Sequence, residues 1–193
     1  MGLRDLLANF PQDGLLETII VRPGRGMPAV AVDETTAIVG LGLLGDRGSL
    51  AKLPNPSRKR QVTLIQREHL AVVAAVLGRS SVDATMLRRN LVVSGLNLMA
   101  LRSPLRDLRM GVEILDPRSG EGALLEVSGP CEPCSAMEAA LGSGGYNAMR
   151  GHGGVTARVL RDGPVKVGMT VRVKLLAPHE PPSPAPSADT PSR

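Results

Sequence analysis

Two cysteines three positions apart are the residues of this chain best suited to chemistry. Cys131 and Cys134 form a Cys-x-x-Cys pair between an apolar run and a short helical pattern. Cys134 lies at the predicted helix start, where unpaired backbone N–H groups favour the thiolate. Ser135 is a suitable N-cap, and Glu138 three residues later gives the spacing of a capping box. A thiolate here could be a nucleophile, a redox sulfur or a ligand to a soft metal.

Three other interpretations of the pair stay open at the level of the residues. Both cysteines could be small buried hydrophobic side chains, as cysteine often is. A structural zinc site needs four ligands, and only His152 is near enough in sequence to help, because His69 is in a predicted helix and His179 in the tail. A thioredoxin-type redox pair needs a βαβ framework that the surrounding sequence does not show.

A glycine-rich segment, GSGGYNAMRGHGG, occupies residues 142–154. Glycine-rich backbone can form a concave set of N–H groups around a phosphate, and arginine suits bidentate phosphate contact. Arg150, His152 and Arg158 add positive or hydrogen-bonding groups. The segment lacks the Gly-Lys-Ser/Thr of a Walker A loop and the βαβ setting of a dinucleotide-binding fingerprint. We therefore predict an anion-binding loop, with a flexible surface loop as the alternative.

Two further corners carry polar residues that could face a ligand. Asp46 and Arg47 lie among the glycines of GLGLLGDRG, which is either a turn between strands or a polar corner beside a ligand. Arg88, Arg89 and Asn90 lie at an abrupt junction between a helical turn, ATMLRR, and a strand, NLVVSG. The two arginines either stabilise the helix C-terminus through its macrodipole or bind an anion.

The elements that must position these residues are mostly short strands. Strands are predicted at residues 15–23, 29–39, 61–65, 90–95, 108–116, 124–129, 164–168 and 170–177, with a hairpin loop at 117–122. The clearest helix spans residues 67–78, with an apolar face of Leu70, Val73, Ala74 and Leu77. About nine β-runs without regular βαβ alternation predict a mainly β fold, a barrel or sandwich decorated by a few helices.

Length and composition set the broad class. The chain has 193 residues, which fits one domain over residues 1–177, and the Pro/Ser-rich residues 178–193 are predicted to be a disordered tail. Phe10 and Tyr146 are the only aromatic residues besides histidine, so base stacking on aromatic platforms is not expected. No signal peptide or membrane-length apolar run is evident, which predicts a cytoplasmic protein without a membrane partner.

The net charge of +5 comes mainly from arginine. No block of five or more like charges is present, and RKR at 58–60 and RR at 88–89 are the densest clusters. A single bound anion fits this distribution better than a nucleic-acid-tracking stripe.

The polar corners and the cysteine motif resemble a known family, the MOSC domain, named for the C-terminal domain of molybdenum cofactor sulfurase. The resemblance implies a MOSC-type β-barrel that binds the molybdenum cofactor, a pterin dithiolene carrying a phosphate. It also implies that Cys134 is the catalytic residue and the metal ligand, with Cys131 the less constant partner. The segments that carry it are GLLGDRG (42–48), RQVTLI (60–65), RRNLVVSGLNL (88–98), GPCEPC (129–134), GGYNAMRGHGGVTARVL (144–160) and VKVGMTVRV (165–173).

Residue types and the resemblance together nominate a cofactor-binding set. A soft thiolate suits a metal already held by dithiolene sulfurs, and arginines suit a pterin phosphate. The nominated residues are Asp46, Arg88, Arg89, Asn90, Gly145, Tyr146, Asn147, Arg150, Gly151, His152, Gly153 and Arg158. Residues 103–127 depart from the family pattern and are expected to reshape the rim of the pocket.

The resemblance implies an oxidoreductase that reduces small N-hydroxylated substrates, such as hydroxylaminopurines or amidoximes, at a cysteine-ligated molybdenum. Electrons would come from a separate flavin or iron–sulfur reductase, since the chain has no motif for either cofactor. The alternatives are a non-catalytic carrier, of the cofactor or of sulfur as a Cys134 persulfide, and a metal-free thiol redox protein. No pyridoxal-phosphate-dependent desulfurase domain is recognisable, so a stand-alone MOSC protein is expected.

Overall fold

The computed structural model describes residues 1–50 and 53–177, so the predicted disordered tail lies outside the described residues. Within those ranges the chain forms eleven strands, four α-helices and three short 3-10 helices. The helices are α1 (Leu3–Ala8), α2 (Arg67–Val76), α3 (Ser135–Leu141) and α4 (Gly145–Ala148), with 3-10 turns at Arg47–Leu50, Ala84–Leu87 and Leu98–Leu101. The strands are β1 (Gly14–Val21), β2 (Val30–Val32), β3 (Glu34–Ile38), β4 (Gly42–Leu43), β5 (Val62–Gln66), β6 (Leu91–Ser94), β7 (Arg109–Leu115), β8 (Gly122–Pro130), β9 (Val155–Arg161), β10 (Gly163–Lys166) and β11 (Thr170–Leu176).

Seven strands form a closed barrel in the order β11-β7-β8-β9-β5-β6-β1. The pairing of β1 with β11, with Gly14 opposite Val171, closes the ring. β2 extends the sheet beyond β1, and β10, β3 and β4 form a second small sheet. The predicted mainly β fold is confirmed, and β7 and β8 form the hairpin expected around residues 117–122.

One parallel pair interrupts the antiparallel order. β5 and β6 run side by side in the same direction, and α2 together with the 3-10 turn Ala84–Leu87 makes the connection. Parallel neighbours need such a crossover, because the chain must return from the end of one strand to the start of the next at the opposite end of the pair. On α2, Val73 and Ala74 are buried, and Leu70 and Leu77 pack against the same cluster, as the apolar face predicts.

The core is aliphatic and has two layers. Successive residues of a strand point to opposite faces, so Ile19 and Leu64 belong to the barrel interior while Ile20 and Ile65 belong to a second cluster. That second cluster lies between the barrel wall and helices α2, α3 and α4. The helices therefore cover the side of the barrel on which residues 131–154 run.

Strand β9 is the clearest difference from the sequence expectation. Residues 155–161 are not among the predicted strands, yet they form a strand that pairs with both β5 and β8. Arg158 breaks the apolar pattern of this strand, but its side chain is half-buried against Glu126. Because a polar residue interrupts the apolar pattern, hydrophobicity alone does not indicate a strand here. Helix α4 also lies within the segment that is predicted to be a loop.

None of the helices between residues 1 and 50 or 53 and 177 is long and apolar enough to cross a membrane.

Candidate functional site

A cleft of about 430 Å³ contains both cysteines, and we call it the cysteine cleft. Segments that are distant in sequence meet there: the end of β1, the corner after β4, the start of β5, the junction before β6 and the segment before α3. Of the nominated residues, it brings together Asp46, Arg88, Arg89, Asn90 and Cys134. The remaining lining residues are Arg22, Arg47, Gly48, Arg60, Gln61, Thr63, Cys131, Glu132, Pro133 and Met137.

The two cysteines have different environments. Cys134 is an exposed free thiol at the start of α3, whereas Cys131 is a buried free thiol. The backbone N–H of Cys131 donates to the carbonyl oxygen of Gly154 at 2.9 Å, and its Sγ lies 3.9 Å from Nη2 of Arg60. Cys134 is therefore the thiol that an incoming ligand can reach, and Cys131 anchors the segment.

The expectation of a Ser135 N-cap with a capping box is wrong. Cys134 is the N-cap residue, without a side-chain capping bond, and Ser135 is the first helical residue. The Glu138 carboxylate instead accepts the backbone N–H groups of Gly144 at 2.9 Å and Tyr146 at 2.7 Å. These bonds, that from Tyr146 first, lower the pKa of Glu138. The carboxylate therefore binds two N–H groups at the start of α4 instead of the single N–H group that a capping box provides at the N-cap.

Arg89 is a buried cation beside the cysteines, with only 5% of its surface exposed. Its Nε donates to the carbonyl oxygen of Gly153 at 2.7 Å, Nη1 to that of Leu87 at 2.8 Å and Nη2 to that of Cys131 at 2.9 Å. No carboxylate in the described part of the chain forms an ion pair with it. Burial lowers the pKa of Arg89, and the nearby Cys131 and Cys134 thiols oppose that effect. A buried charge without a counter-ion favours a bound anion.

Asn90 lines the cleft, but its side-chain amide is engaged in the fold. Oδ1 accepts the backbone N–H of Thr63 at 3.1 Å and the Thr63 hydroxyl at 2.8 Å. Nδ2 donates to the carbonyl oxygen of Ile20 at 3.2 Å. The side chain thus ties β5 and β1 to the start of β6, and it shapes the cleft wall.

Asp46 holds the neighbouring corner in place. Its carboxylate accepts the backbone N–H of Arg22 at 2.9 Å and the Nε and Nη2 of the same residue at 3.2 and 3.3 Å. It also accepts the N–H of Gly48 at 3.2 Å. Since it is 4% exposed, Asp46 has little surface left for a ligand and instead positions Arg22.

Arg88 makes the abrupt corner that the sequence predicts. With φ 56° and ψ 36° it is left-handed, and no other non-glycine residue in the described ranges has a positive φ. The turn leaves Arg88 exposed while the next residue, Arg89, is buried. Such a conformation costs a non-glycine residue roughly 1 kcal/mol or more.

The cysteine cleft is positively charged. It is lined by five arginines and two carboxylates, and the Asp46 carboxylate already pairs with Arg22. Arg47 and Arg88 have no side-chain hydrogen bond or ion pair with any residue that the structure describes. Arg22 and Arg60 were not nominated from the sequence, although Arg60 belongs to the RKR cluster that composition singles out.

The glycine loop supports the cleft from behind rather than lining it. A Cβ on Gly153 would lie 2.2 Å from the carbonyl oxygen of Cys131, and one on Gly154 would lie 2.0 Å from that of Leu64. Only glycine permits these approaches, so the loop packs on the cysteine segment and on β5. The nominated loop residues outside the cleft lining are Gly145, Tyr146, Asn147, Arg150, Gly151, His152 and Gly153. Their role toward a cofactor stays a prediction.

His152 faces helix α2. Its ring lies edge-on to that of His69, with centroids 4.9 Å apart and an interplanar angle of 81°. Both Nδ1 atoms are buried and lack a hydrogen-bond partner among the described residues. Burial is the main cause that lowers the pKa of His69, and the neighbouring His152 lowers it further.

Arg158 also lies outside the cleft lining, in an ion-pair cluster between β7, β8 and β9. Glu126 binds Arg158, and it accepts Nε of Arg109 at 2.8 Å. Burial raises the pKa of Glu126, but the hydrogen bonds from the two arginines outweigh it and the net pKa is lowered. Arg158 therefore has a structural partner, and its role toward a cofactor stays a prediction.

The segment that departs from the family pattern, residues 103–127, contributes to a separate groove of about 620 Å³. That groove lies against β7 and the end of β8 and shares no residue with the cysteine cleft. No residue between 91 and 130 lines the cysteine cleft.

Solved structures share the fold of this chain. The structure is similar to the crystal structure of the YuaD protein from Bacillus subtilis, with a TM-score of 0.65 and 21% identity, covering 84% of this chain and 96% of that one. It is also similar to YiiM from Geobacillus stearothermophilus, with a TM-score of 0.59, 17% identity and coverage of 84% and 75%. For YiiM from Escherichia coli the values are 0.57, 20%, 89% and 73%.

No curated protein sequence matches the chain. The sequence profile of the MOSC domain matches residues 45–172, which include Asp46, the Arg88–Asn90 junction and both cysteines. Because this match covers well over half of the sequence and the fold is a closed barrel of the expected type, the chain belongs to the MOSC domain family.

Proposed function

We propose that the cysteine cleft binds the molybdenum cofactor and that the Cys134 thiolate is its protein ligand. One observation carries this proposal: the same cleft contains an exposed free thiol, Cys134, and a buried guanidinium, Arg89. That guanidinium has no carboxylate partner among the described residues. The MOSC family is associated with this cofactor.

The residues fit such a group. Thiolate sulfur suits a soft metal, and arginine suits the phosphate of the pterin. No cluster of three or more His, Cys, Asp or Glu side chains that could hold a metal ion occurs in residues 1–50 and 53–177. A metal bound in this cleft therefore needs ligands from its own cofactor, which a dithiolene provides.

Each part of the cleft has a distinct task in this proposal. Cys134 binds the metal at the mouth, because it is the reachable thiol. Arg89 supplies positive charge from the buried wall of the cleft, where hydrogen bonds to backbone carbonyls fix it. The exposed Arg60 adds a second guanidinium to the lining. Pro133 and Met137, both buried, form the apolar part of the cleft lining. When bound, the cofactor supplies a metal centre that can pass two electrons to a substrate.

We propose that the reaction is reduction of a small N-hydroxylated compound. The N–O bond breaks, an N–H bond forms, and the oxygen leaves as water after uptake of two electrons and two protons. An external reductase supplies the electrons. The exposed position of Cys134 supports this proposal, since a small substrate can reach a metal that is bound to this thiolate.

The experiment compares wild type, Cys134→Ala and Cys131→Ala from a host that makes the cofactor. Metal analysis and pterin fluorescence measure the bound cofactor, and a coupled assay with a competent reductase measures reduction of a hydroxylaminopurine. We expect stoichiometric molybdenum and activity in wild type and the loss of both in Cys134→Ala. Full activity in Cys134→Ala would overturn the assignment. A wild type that holds molybdenum but is inert would indicate a carrier instead.

A further inference from the structure

A second groove of about 390 Å³ adjoins the cysteine cleft. Four arginines line it, Arg22, Arg25, Arg47 and Arg88, and we call it the arginine groove. Three of them, Arg22, Arg47 and Arg88, also line the cysteine cleft. The two depressions are therefore neighbours that share three arginines in their walls.

Three of the four arginines of this groove have no acidic partner among the residues that the structure describes. No Asp or Glu lines it. Arg22 pairs with Asp46, but the side chains of Arg25, Arg47 and Arg88 form no hydrogen bond or ion pair within the described ranges. Like charges that converge on one groove repel each other, and a bound polyanion removes that cost.

The backbone supports a ligand-binding role for Arg88. A left-handed residue is cheapest as glycine, and this position holds arginine with φ 56°. The side chain reaches both depressions and has no structural partner among the described residues. Strain of this kind is typical of ligand-binding positions.

Size and chemistry select the ligand class. The groove is concave and small, which fits a low-molecular-weight anion rather than a macromolecule. Guanidinium groups bind phosphate oxygens in a bidentate manner, and the Thr85 hydroxyl adds a neutral hydrogen-bonding group. The cysteine cleft already has Arg89 and Arg60 for one phosphate, so the arginine groove has the charge for a further one.

We propose that the arginine groove is a nucleotide-phosphate subsite, so that a ligand of the cysteine cleft carries a nucleotide phosphate remote from Cys134. This inference rests on the proposed function for the identity of the ligand at Cys134. The phosphate can come from a nucleotide extension of the pterin cofactor or from a substrate that is a nucleotide rather than a free base. Both sources present the same phosphate ester to Arg25, Arg47 and Arg88.

The test uses the full chain, purified from a host that makes the cofactor, and an Arg25→Gln/Arg47→Gln variant. Both side chains are exposed and without a partner in the described part, so the variant should fold. The single changes Arg25→Gln and Arg47→Gln are made as well, and Arg118→Gln, at an exposed arginine in the β7–β8 hairpin loop, is their charge-matched control. Nucleotide released on acid denaturation is quantified, and the same preparations are titrated calorimetrically with AMP and with adenosine.

Two results support the subsite and identify its source. Stoichiometric nucleotide released together with pterin, and lost in the variant, indicates the cofactor extension. AMP binding that adenosine does not reproduce, and that weakens about tenfold or more in the variant and with rising salt, indicates a free nucleotide. In both cases Arg118→Gln should behave as wild type.

The inference is overturned if wild type neither releases nucleotide nor binds AMP, or if the variant matches wild type in both measurements. A preparation that contains molybdenum but fails these tests refutes the subsite alone. A preparation that binds AMP but never contains molybdenum refutes the proposed cofactor alone.

Discussion

Nη2 of Arg89 donates a hydrogen bond to the carbonyl oxygen of Cys131 across a separation of 2.9 Å. The same guanidinium binds the carbonyl oxygen of Gly153, so one side chain joins the cysteine segment to the glycine loop. Its positive charge has no carboxylate partner among the described residues. Arg89 therefore both assembles the cleft and places a buried positive charge in its wall.

We predict that Arg89→Met destabilises the protein although it removes an unpaired buried charge. Three carbonyl oxygens, those of Leu87, Cys131 and Gly153, lose their guanidinium donor. At roughly 1 kcal/mol or more for each buried acceptor, we expect a loss of about 3 kcal/mol in the free energy of unfolding, measured with urea. Arg150→Met, at an exposed arginine, is the control and should change it by less than about 0.5 kcal/mol. Equal stability of the two variants would contradict the structural role of Arg89.

The glycine loop offers a pair of positions that separates backbone strain from steric clash. Gly151 and Gly154 both have φ +79°, but a Cβ on Gly151 meets nothing within 4 Å, whereas one on Gly154 meets the Leu64 carbonyl at 2.0 Å. We expect Gly151→Ala to cost about 1 kcal/mol and Gly154→Ala several kcal/mol, because only the latter must displace β5. Thermal unfolding measures both. Similar costs would show that the loop does not pack on β5.

The barrel is predictable from sequence because its strands are aliphatic runs bounded by turn residues. The run QVTLI becomes β5 and TVRVKLLA becomes β11, and the abrupt Arg88–Asn90 corner is visible where a helical turn meets a strand without a spacer. The position of Cys134 at a helix start also follows from local sequence. These features depend on neighbours in the chain, so a sequence pattern contains them.

What sequence does not reveal is which side of a segment faces the cleft. His152 and Arg158 have the residue types of a phosphate site, yet both interact with partners outside the cleft. His152 packs against His69, and Arg158 forms an ion pair with Glu126. Conversely, Arg22 directly follows an ordinary strand, and its side chain lines the cleft, where it pairs with Asp46. Such partners are distant in sequence, and the pattern of a single segment does not specify them.

Stability should fall as the pH drops below the ordinary pKa of histidine. Burial lowers the pKa of His69 in the folded chain, so the unfolded chain takes up a proton at a higher pH than the folded chain does. The loss begins as the pH falls below about 6.5 and is complete once the folded form is protonated as well. We expect His69→Gln to reduce this loss between about pH 7 and 5 in urea unfolding. An NMR titration of His69 at or above the ordinary pKa would contradict the burial argument.

The Glu138 carboxylate should control the mobility of the glycine loop. It accepts hydrogen bonds from the backbone N–H groups of Gly144 and Tyr146. We expect Glu138→Ala to accelerate hydrogen exchange at these two amides several-fold while amides in β5 keep their protection. Glu121→Ala, in the exposed hairpin loop, is the control and should leave all of them unchanged. Unchanged exchange in Glu138→Ala would show that the loop holds its position without the carboxylate.

X-ray absorption at the molybdenum edge tests the central assignment most directly, because it counts the sulfur neighbours of the metal. Wild type, Cys134→Ser and Cys131→Ser are compared after purification from a host that makes the cofactor. We predict that molybdenum retained in Cys134→Ser has one sulfur neighbour fewer than in wild type, or that the metal is lost, while Cys131→Ser keeps the wild-type spectrum. An unchanged sulfur count in Cys134→Ser, or a loss confined to Cys131→Ser, would contradict the assignment of Cys134 as the ligand.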